Sequence, residues 1–263
     1  MDTVGENITD VQVGDHVFVQ GTRFADPNWK YPGPCLASHT GYLVAPRSAV
    51  TPLPPNVDLS GGSLYHMTAV AFHGVRLANI QPGELVVVIG QGLIGQMSAQ
   101  AARLRGARVI TADTVRLRVD YSARYSADRA VDVSTENLAD VVRAEAPGGA
   151  DVVVDTTGST QLVRQCIDLV RREGRICLQG YYPDPVLFDF HPTHLKRVTV
   201  AFPCGWDNEE ITHLSEHLAA GRIQLASLIT HRVPCLDAAQ AYQLILEHPE
   251  QSLGVVLDWS SHG

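Results

Sequence analysis

The chain has 263 residues, of which 45% are hydrophobic and 18% are charged, and its formal net charge is -8. This apolar content is ample for a folded core, which excludes disorder of the whole chain. Lys and Arg number 20 against 28 Asp and Glu, and no basic run exceeds two residues. We therefore expect no nucleic acid and no membrane surface as a partner.

The cysteines and the apolar runs indicate where the protein resides. None of the five cysteines forms a Cys-x-x-Cys pair, which is typical of free thiols in a reducing compartment. The first six residues are acidic and lack the apolar stretch of a secretory leader. The longest apolar run covers residues 85–89, far below the roughly 20 residues of a membrane helix. We expect a cytoplasmic protein.

The N-terminal part of the chain predicts antiparallel strands and loops. Residues 1–58 contain strand-like stretches at Val11–Val19 and Gly41–Ala45, many Pro and Gly, and no long helical period. Ser60 or Ser63 is the candidate cap of a helix that continues to about residue 78.

The middle of the chain alternates short β-branched runs with helical segments such as Gly95–Arg105 and Gln161–Arg172. Unbroken apolar runs are typical of parallel strands whose two faces are covered by helices. Six such strands with helical crossovers predict an α/β fold with a doubly wound, Rossmann-type parallel sheet. The six runs are Leu85–Ile89, Arg108–Ala112, Ala130–Val133, Asp151–Val154, Arg175–Leu178 and Val198–Ala201. Beyond them, strand-like stretches at Ser227–Val233 and Leu253–Asp258 flank a predicted helix, Asp237–Glu247.

A glycine motif follows the first of these six runs. Residues 90–95 read Gly-Gln-Gly-Leu-Ile-Gly, placed directly after a buried strand and at the start of a helix. Gly90 permits the tight turn, Gly92 lets the main chain approach a pyrophosphate, and Gly95 lets helix and strand pack closely. The motif predicts a dinucleotide cofactor, with Leu93 and Ile94 at the helix N-terminus beside the phosphates.

An acidic residue indicates which dinucleotide is bound. Asp113 ends the second strand, where a carboxylate accepts hydrogen bonds from the adenosine ribose and repels a 2′-phosphate. The sequence therefore favours NAD(H) over NADP(H). Arg116 and Arg118 leave NADP(H) open, since a nearby Arg accommodates that phosphate. The alternative is a glycine turn and a capping Asp in a sheet that binds nothing.

Several further stretches resemble the medium-chain dehydrogenase/reductase family. They are Val4-Gly5-Glu6-Asn7, Val13-Gly14-Asp15-His16-Val17, Phe72-His73-Gly74-Val75-Arg76, Gln81-Pro82-Gly83-Glu84, Asp155-Thr156-Thr157-Gly158, Gly174-Arg175-Ile176 and Val255-Val256-Leu257-Asp258-Trp259. Together with the glycine motif they extend over nearly the whole chain. Within the family, the sequence is most similar to the short subgroup without a structural-zinc lobe that includes bacteriochlorophyllide hydroxyethyl dehydrogenase-like proteins.

The resemblance implies two domains and a set of cofactor contacts. A GroES-like catalytic domain, truncated at its N-terminus relative to the family pattern, would comprise residues 1–65 and 216–263, and the Rossmann domain residues 66–215. Arg118 matches a basic position near the adenosine. Thr156, Gly180 and Phe202 match strand ends that border the nicotinamide. The family transfers hydride between nicotinamide and an alcohol or carbonyl carbon.

The zinc site of the family has no complete counterpart in this sequence. The first zinc-ligating Cys, its proton-relay neighbours and the Gly-His-Glu segment are missing, and Cys35 stands alone where a four-Cys lobe would lie. His66 occupies the position of the third zinc ligand, in the first turn of a helix. We expect no metal residues and no tightly bound zinc, and we take His66 as the candidate catalytic residue, with Tyr65 and Tyr181 next. A retained zinc would point to Cys35 or His39.

Three functions follow from this pattern. The first is an NAD(H)-dependent oxidoreductase of a small secondary alcohol or ketone. The second is a zinc-free reductase of an activated C=C bond or quinone, and the third is a nucleotide-binding protein without redox catalysis. The sixth strand is an open sheet edge, and the family resemblance implies that this edge pairs with a second copy, so we expect a homodimer.

Overall fold

The computed structural model describes residues 1–20 and 39–260. The strands are β1 Val17–Val19, β2 Val50–Pro52, β3 Leu85–Ile89, β4 Arg108–Asp113, β5 Arg129–Asp132, β6 Ala150–Asp155, β7 Val170–Leu178, β8 Thr199–Ala201, β9 Ile229–Pro234 and β10 Gly254–Asp258. The helices are α1 Leu59–Gly62, α2 Tyr65–Leu77, α3 Leu93–Leu104, α4 Arg116–Tyr121, α5 Leu138–Glu145, α6 Val163–Leu169, α7 Phe190–Lys196, α8 Asn208–Ala219 and α9 Ala238–Glu247.

Six parallel strands form the central sheet in the order β5-β4-β3-β6-β7-β8. Every residue of β3 is buried, because apolar clusters cover both faces of the sheet. Val87 and Val153 belong to the cluster on one face, and Val86 and Val154 to the cluster on the other. These observations confirm the predicted doubly wound α/β fold and all six predicted strands. The strand order reverses between β3 and β6, and ligands bind at the carboxyl ends of the strands at such a point.

Two predictions about the N-terminal part of the chain were wrong. Gly41–Ala45 forms no strand, and the partner of β1 is instead β2, which pairs with it antiparallel. The predicted single helix is divided into α1 and α2, and its cap is Asp58, whose Oδ1 accepts a hydrogen bond of 2.6 Å from the Gly61 N–H. An Asp carboxylate serves this role as well as a Ser hydroxyl, so composition alone did not separate the candidates.

One predicted helix end was also wrong. The helix expected over Gln161–Arg172 ends at Leu169, because Val170 has an extended backbone and pairs with Ala150 as the start of β7. At the C-terminal side, β9 and β10 form a separate parallel pair, joined through α9. The division into two domains stays a prediction. No helix in the described part of the chain is both long and apolar enough to cross a bilayer.

Candidate cofactor site

The first glycine of the motif makes the turn that ends β3. Gly90 has a φ of +84°, a left-handed conformation that side chains rarely adopt, and a Cβ there would lie 2.7 Å from Thr157 Cγ2. Thr156 Oγ1 donates to the carbonyls of Ile89 and Gly90 at 3.1 and 2.9 Å. Thr156 therefore ties the end of β6 to the glycine turn.

The other two glycines differ in what surrounds them. A Cβ on Gly95 would collide with the carbonyl oxygen of Gly90, so α3 can pack on the turn only with glycine there. A Cβ on Gly92 would meet no atom within 4 Å among the described residues. Gly92 is the N-cap of α3 and supplies no side-chain cap, and the N–H groups of Leu93, Ile94 and Gly95 make no hydrogen bond within the described residues. Such an N-terminus suits a phosphate group.

Asp113 lies at the end of β4, beside this turn. Its Oδ2 accepts a 2.6 Å hydrogen bond from the Gln91 N–H, and its Oδ1 accepts one of 2.8 Å from the Val115 N–H. Arg118 is close, with Nη1 3.9 Å from Asp113 Oδ2, and its Nη2 donates to the Pro249 carbonyl at 3.0 Å. The structure thus brings the glycine turn, Asp113 and Arg118 together at one corner of the sheet.

The second arginine that left NADP(H) open lies apart from this corner. Arg116 pairs with Asp120 at 2.8 Å, four residues along the same helix, and its side chain is 75% exposed. The hydrogen bond that Arg116 donates to the Asp120 carboxylate raises the pKa of Arg116, and the ion pair compensates its positive charge. Of the two arginines, only Arg118 contacts Asp113.

The remaining predicted contacts lie at the ends of β7 and β8. A Cβ on Gly180 would collide with the N–H of Gly158, so these two loops pack main chain to main chain. Phe202 follows β8, is 61% exposed, and lies three strands from β3 in the sheet order. At about 4.8 Å between strands, that places Phe202 roughly 14 Å from the glycine turn, a distance that a dinucleotide has to span.

His66 is the second residue of α2, as predicted, and is half-buried. Its ring meets Trp206 edge-on at 4.2 Å between centroids and Phe18 at 6.5 Å. Burial against these rings lowers the pKa of His66 below its usual value, so the imidazole is neutral at pH 7. Trp206 and Leu93 of the glycine motif pack against the same apolar cluster.

The two tyrosines named as alternatives to His66 differ in exposure. The Tyr65 side chain is fully buried, and its hydroxyl bonds to Ser215 Oγ and the Ile211 carbonyl, so it cannot contact a substrate. Burial also raises the pKa of Tyr65, opposed by the bond to Ser215. Tyr181 is 89% exposed. The burial of Tyr65 argues against it as a proton donor, and Tyr181 stays the predicted alternative to His66.

The described residues contain one cluster with the spacing of metal ligands, and it does not fit a metal. His73, Asp207 and Glu210 bring their ligand atoms within 4.8 Å of one another. The Arg76 guanidinium, however, bonds to both carboxylates, with 2.7 Å to Asp207, and its positive charge occupies the position that a cation would need. Burial raises the pKa of Glu210, but hydrogen bonds from Arg76 and its neighbours outweigh burial and keep the pKa low. The cluster joins α2 to α8.

Among residues 1–20 and 39–260, no group of three or more His, Cys, Asp or Glu side chains with the spacing of metal ligands includes His66. Of the two residues named as replacements, Cys35 lies outside the described residues. His39 lies beside Tyr242, with 6.3 Å between ring centroids.

Sequence reasoning missed two polar residues, one within the glycine motif and one directly after it. The side chains of Gln91 and Gln96 are fully buried and hydrogen-bonded around the turn. The residue type could have revealed them, because a glutamine amide buried inside a Rossmann unit needs several hydrogen-bond partners.

Comparisons with known proteins find relatives among the dehydrogenases and reductases. The family described as zinc-binding dehydrogenase matches residues 94–220. The L-galactonate-5-dehydrogenase of Escherichia coli strain K12 is 29% identical over 217 residues, which cover 82% of this chain and 64% of that protein. The putative D-xylulose reductase of Agrobacterium fabrum is 28% identical, with 94% of this chain and 75% of that protein covered. Against the first of these, the chain thus spans less than two thirds of its relative's length.

A solved structure shares the fold over most of the chain. The alcohol dehydrogenase TADH from Thermus sp. ATN1 superposes with a TM-score of 0.81 at 25% identity. The superposition covers 97% of this chain and 80% of the other. The similarity to the short subgroup stays a prediction, because these relatives belong to the wider superfamily.

Proposed function

Since the chain belongs to the medium-chain dehydrogenase/reductase superfamily, we propose that it binds NAD(H) and transfers hydride between the nicotinamide and a small secondary alcohol or ketone. The observation that carries this proposal is the uncapped N-terminus of α3 at Gly92, where a Cβ would meet no atom within 4 Å among the described residues, next to the Asp113 carboxylate. A pyrophosphate fits the first feature and an adenosine ribose the second.

The preference for NAD(H) over NADP(H) rests on two charges. The Asp113 carboxylate repels a 2′-phosphate and has unused acceptor capacity for ribose hydroxyls, since each oxygen receives one main-chain N–H. Arg118, which would attract that phosphate, is already directed to the Pro249 carbonyl and to Asp113. Both arrangements disfavour NADP(H).

His66 is proposed as the group that exchanges the proton. When bound, the nicotinamide accepts or supplies the hydride. In the direction of alcohol oxidation, the neutral imidazole of His66 accepts the hydroxyl proton as hydride leaves the carbon, and a carbonyl forms. Burial beside Trp206 lowers the pKa of His66, so the base form that accepts this proton is populated at neutral pH.

We infer that this chemistry proceeds without a complete zinc site in the described part of the chain. A zinc site needs three or four converging ligands, and His66 has Phe18 and Trp206 as its ring neighbours. The carboxylates of Asp207 and Glu210 form ion pairs with Arg76, which compensates their charge without a metal ion. No step of the proposed reaction therefore depends on a metal.

A homodimer is proposed on the exposed edge of the central sheet. β8 has a neighbour on one side only among the described residues, β7. A cavity of about 610 Å³ lies beside this edge, lined by Phe188, Phe190, Leu195 and others. Phe190 and Leu195 are 77% and 59% exposed. A second copy that pairs with β8 would cover the unpaired main-chain groups and these apolar side chains.

The experiment that tests the function is a turnover screen with titration of both cofactors. NADH oxidation is followed with ketones, activated enones and quinones, and NAD⁺ reduction with secondary alcohols and polyols. We expect turnover with ketones or alcohols and tighter binding of NADH than of NADPH. Turnover with enones or quinones alone would support the zinc-free reductase instead. Binding without any turnover would support a nucleotide-binding protein.

A further inference from the structure

Four buried polar side chains form a hydrogen-bonded network against the glycine turn. The Gln91 amide donates to the carbonyls of Val88 and Gly90 at 3.1 and 2.8 Å. Ser122 Oγ donates to Gln91 Oε1 at 2.8 Å and accepts from Gln96 Nε2 at 2.9 Å. All members are fully buried: Gln91, Gln96, Ser122 and Ser126. A buried network whose groups are paired rigidifies the elements it joins.

The orientation of the Gln96 amide follows from its partners. Ser126 Oγ donates to Gln96 Oε1 at 2.6 Å, and the amide nitrogen donates to the Arg118 carbonyl at 3.0 Å. A carbonyl can only accept, so the nitrogen must face Arg118. Gln96 therefore holds the main chain of α4 from the side of α3.

A π-helical turn at Ser122–Ser126 presents both serines to this amide. It continues α4, and the Ala127 N–H bonds to the Ser122 carbonyl at 2.9 Å. Such turns are rare in helices and are frequent at functional sites. Here the turn lets two hydroxyls meet one glutamine.

The network is connected to the two residues that we expect to discriminate between NAD(H) and NADP(H), Asp113 and Arg118. The Asp113 carboxylate is bonded to the main chain of Gln91, and the main chain of Arg118 is bonded to Gln96. With its main chain held, Arg118 reaches the Pro249 carbonyl and lies 3.9 Å from Asp113. Both discriminating groups are thus attached to one rigid unit.

We propose that Gln96 is a positioning residue for cofactor selectivity. By fixing the turn that carries Arg118 against the glycine motif, it keeps the guanidinium on Asp113 and Pro249 and away from the position of a 2′-phosphate. This inference rests on the proposed binding of NAD(H). Loosening the network releases Arg118, which then attracts the extra phosphate of NADPH.

Two variants loosen the network to different extents, and a third is a matched control. Gln96→Leu removes the amide, and Ser126→Ala removes a single hydrogen bond to it. Ser98→Ala also removes one buried hydroxyl, from α3, the helix that carries Gln96. Ser98 Oγ, however, bonds at 3.0 Å to Gln179, which follows β7, and takes no part in the network. Dissociation constants for NADH and NADPH are measured by fluorescence for each variant.

In Gln96→Leu, the ratio of the NADPH to the NADH dissociation constant is expected to fall about threefold to tenfold, as loss of one positioning hydrogen bond implies. Ser126→Ala lowers the ratio less, and Ser98→Ala leaves it unchanged. Adding Arg118→Ala to Gln96→Leu removes the gained NADPH affinity.

An unchanged ratio in Gln96→Leu, or an equal shift in Ser98→Ala, would overturn the inference. If Gln96→Leu does not fold, the comparison of Ser126→Ala with Ser98→Ala decides in the same way. A parent protein that binds neither cofactor would instead refute the proposed function, and the positioning role with it.

Discussion

Replacing Gly92 with alanine should separate cofactor binding from folding. The backbone of Gly92, with φ -64° and ψ -174°, suits any residue, and an added Cβ meets no atom within 4 Å among the described residues. Lower unfolded-state entropy contributes about 0.4–1 kcal/mol of stability, and a poorer N-cap removes a similar amount. The melting temperature should therefore change by no more than about 2 °C.

The same methyl group stands where the pyrophosphate approaches α3, so NADH affinity should fall at least about tenfold. Gly95→Ala should instead lower the stability of the fold, because its Cβ collides with the Gly90 carbonyl. Overpacking against main chain costs about 2 kcal/mol, or roughly 4–8 °C in melting temperature. Thermal unfolding and NADH fluorescence titration measure the two effects.

A control for both variants is Gly148→Ala, in the loop before β6, where a Cβ also meets no atom within 4 Å among the described residues. It should leave NADH affinity and melting temperature near those of the parent. The reasoning would be refuted if Gly92→Ala bound NADH as the parent does, or if Gly95→Ala were equally stable.

Five further predictions concern the site and the sheet edge. Asp113→Asn keeps the shape of the side chain but removes its charge, so titration should show the preference for NADH over NADPH reduced by about tenfold; an unchanged preference would contradict the role of the carboxylate. His66→Asn and His66→Ala should lower turnover roughly tenfold or more at nearly constant NADH affinity, and parent-like turnover would make His66 a bystander. Burial lowers the pKa of His66, so the unfolded chain binds a proton more readily than the folded one. The free energy of unfolding in urea should therefore be highest above about pH 6.5 and should decrease as the pH falls, and this pH dependence should be weaker in His66→Asn. Elemental analysis after dialysis against a mild chelator should find well below one zinc per chain, and a retained equivalent of zinc would contradict this. Light scattering should show a dimer at micromolar concentration, and Leu195→Glu should shift it to monomer because a charge replaces an apolar contact; a monomeric parent would remove the basis of the proposed edge pairing.

The central fold was predictable because its signals are local. Unbroken apolar runs such as Leu85–Ile89 predict parallel strands, because both faces of such strands are covered by helices and so carry apolar side chains. The glycine motif predicts the turn after β3, because a residue with a Cβ at position 95 would prevent the helix from packing against that turn. The start of the first predicted helix was wrong, because Ser60 and Ser63 were the predicted caps, whereas Asp58, a residue type that caps equally well, accepts the hydrogen bond from the Gly61 N–H.

The surroundings of the site residues were decided by the tertiary structure. Arg118 bonds to Pro249, which lies 131 residues away in the sequence, and Arg76 bonds to Glu210 across 134 residues. The neutral imidazole of His66 likewise depends on Trp206, carried by the segment before α8. The sequence and its family resemblance predicted an acid, an arginine and a histidine near the proposed cofactor. Their partners depend on how strands and helices pack across long separations, which no local pattern of side chains specifies.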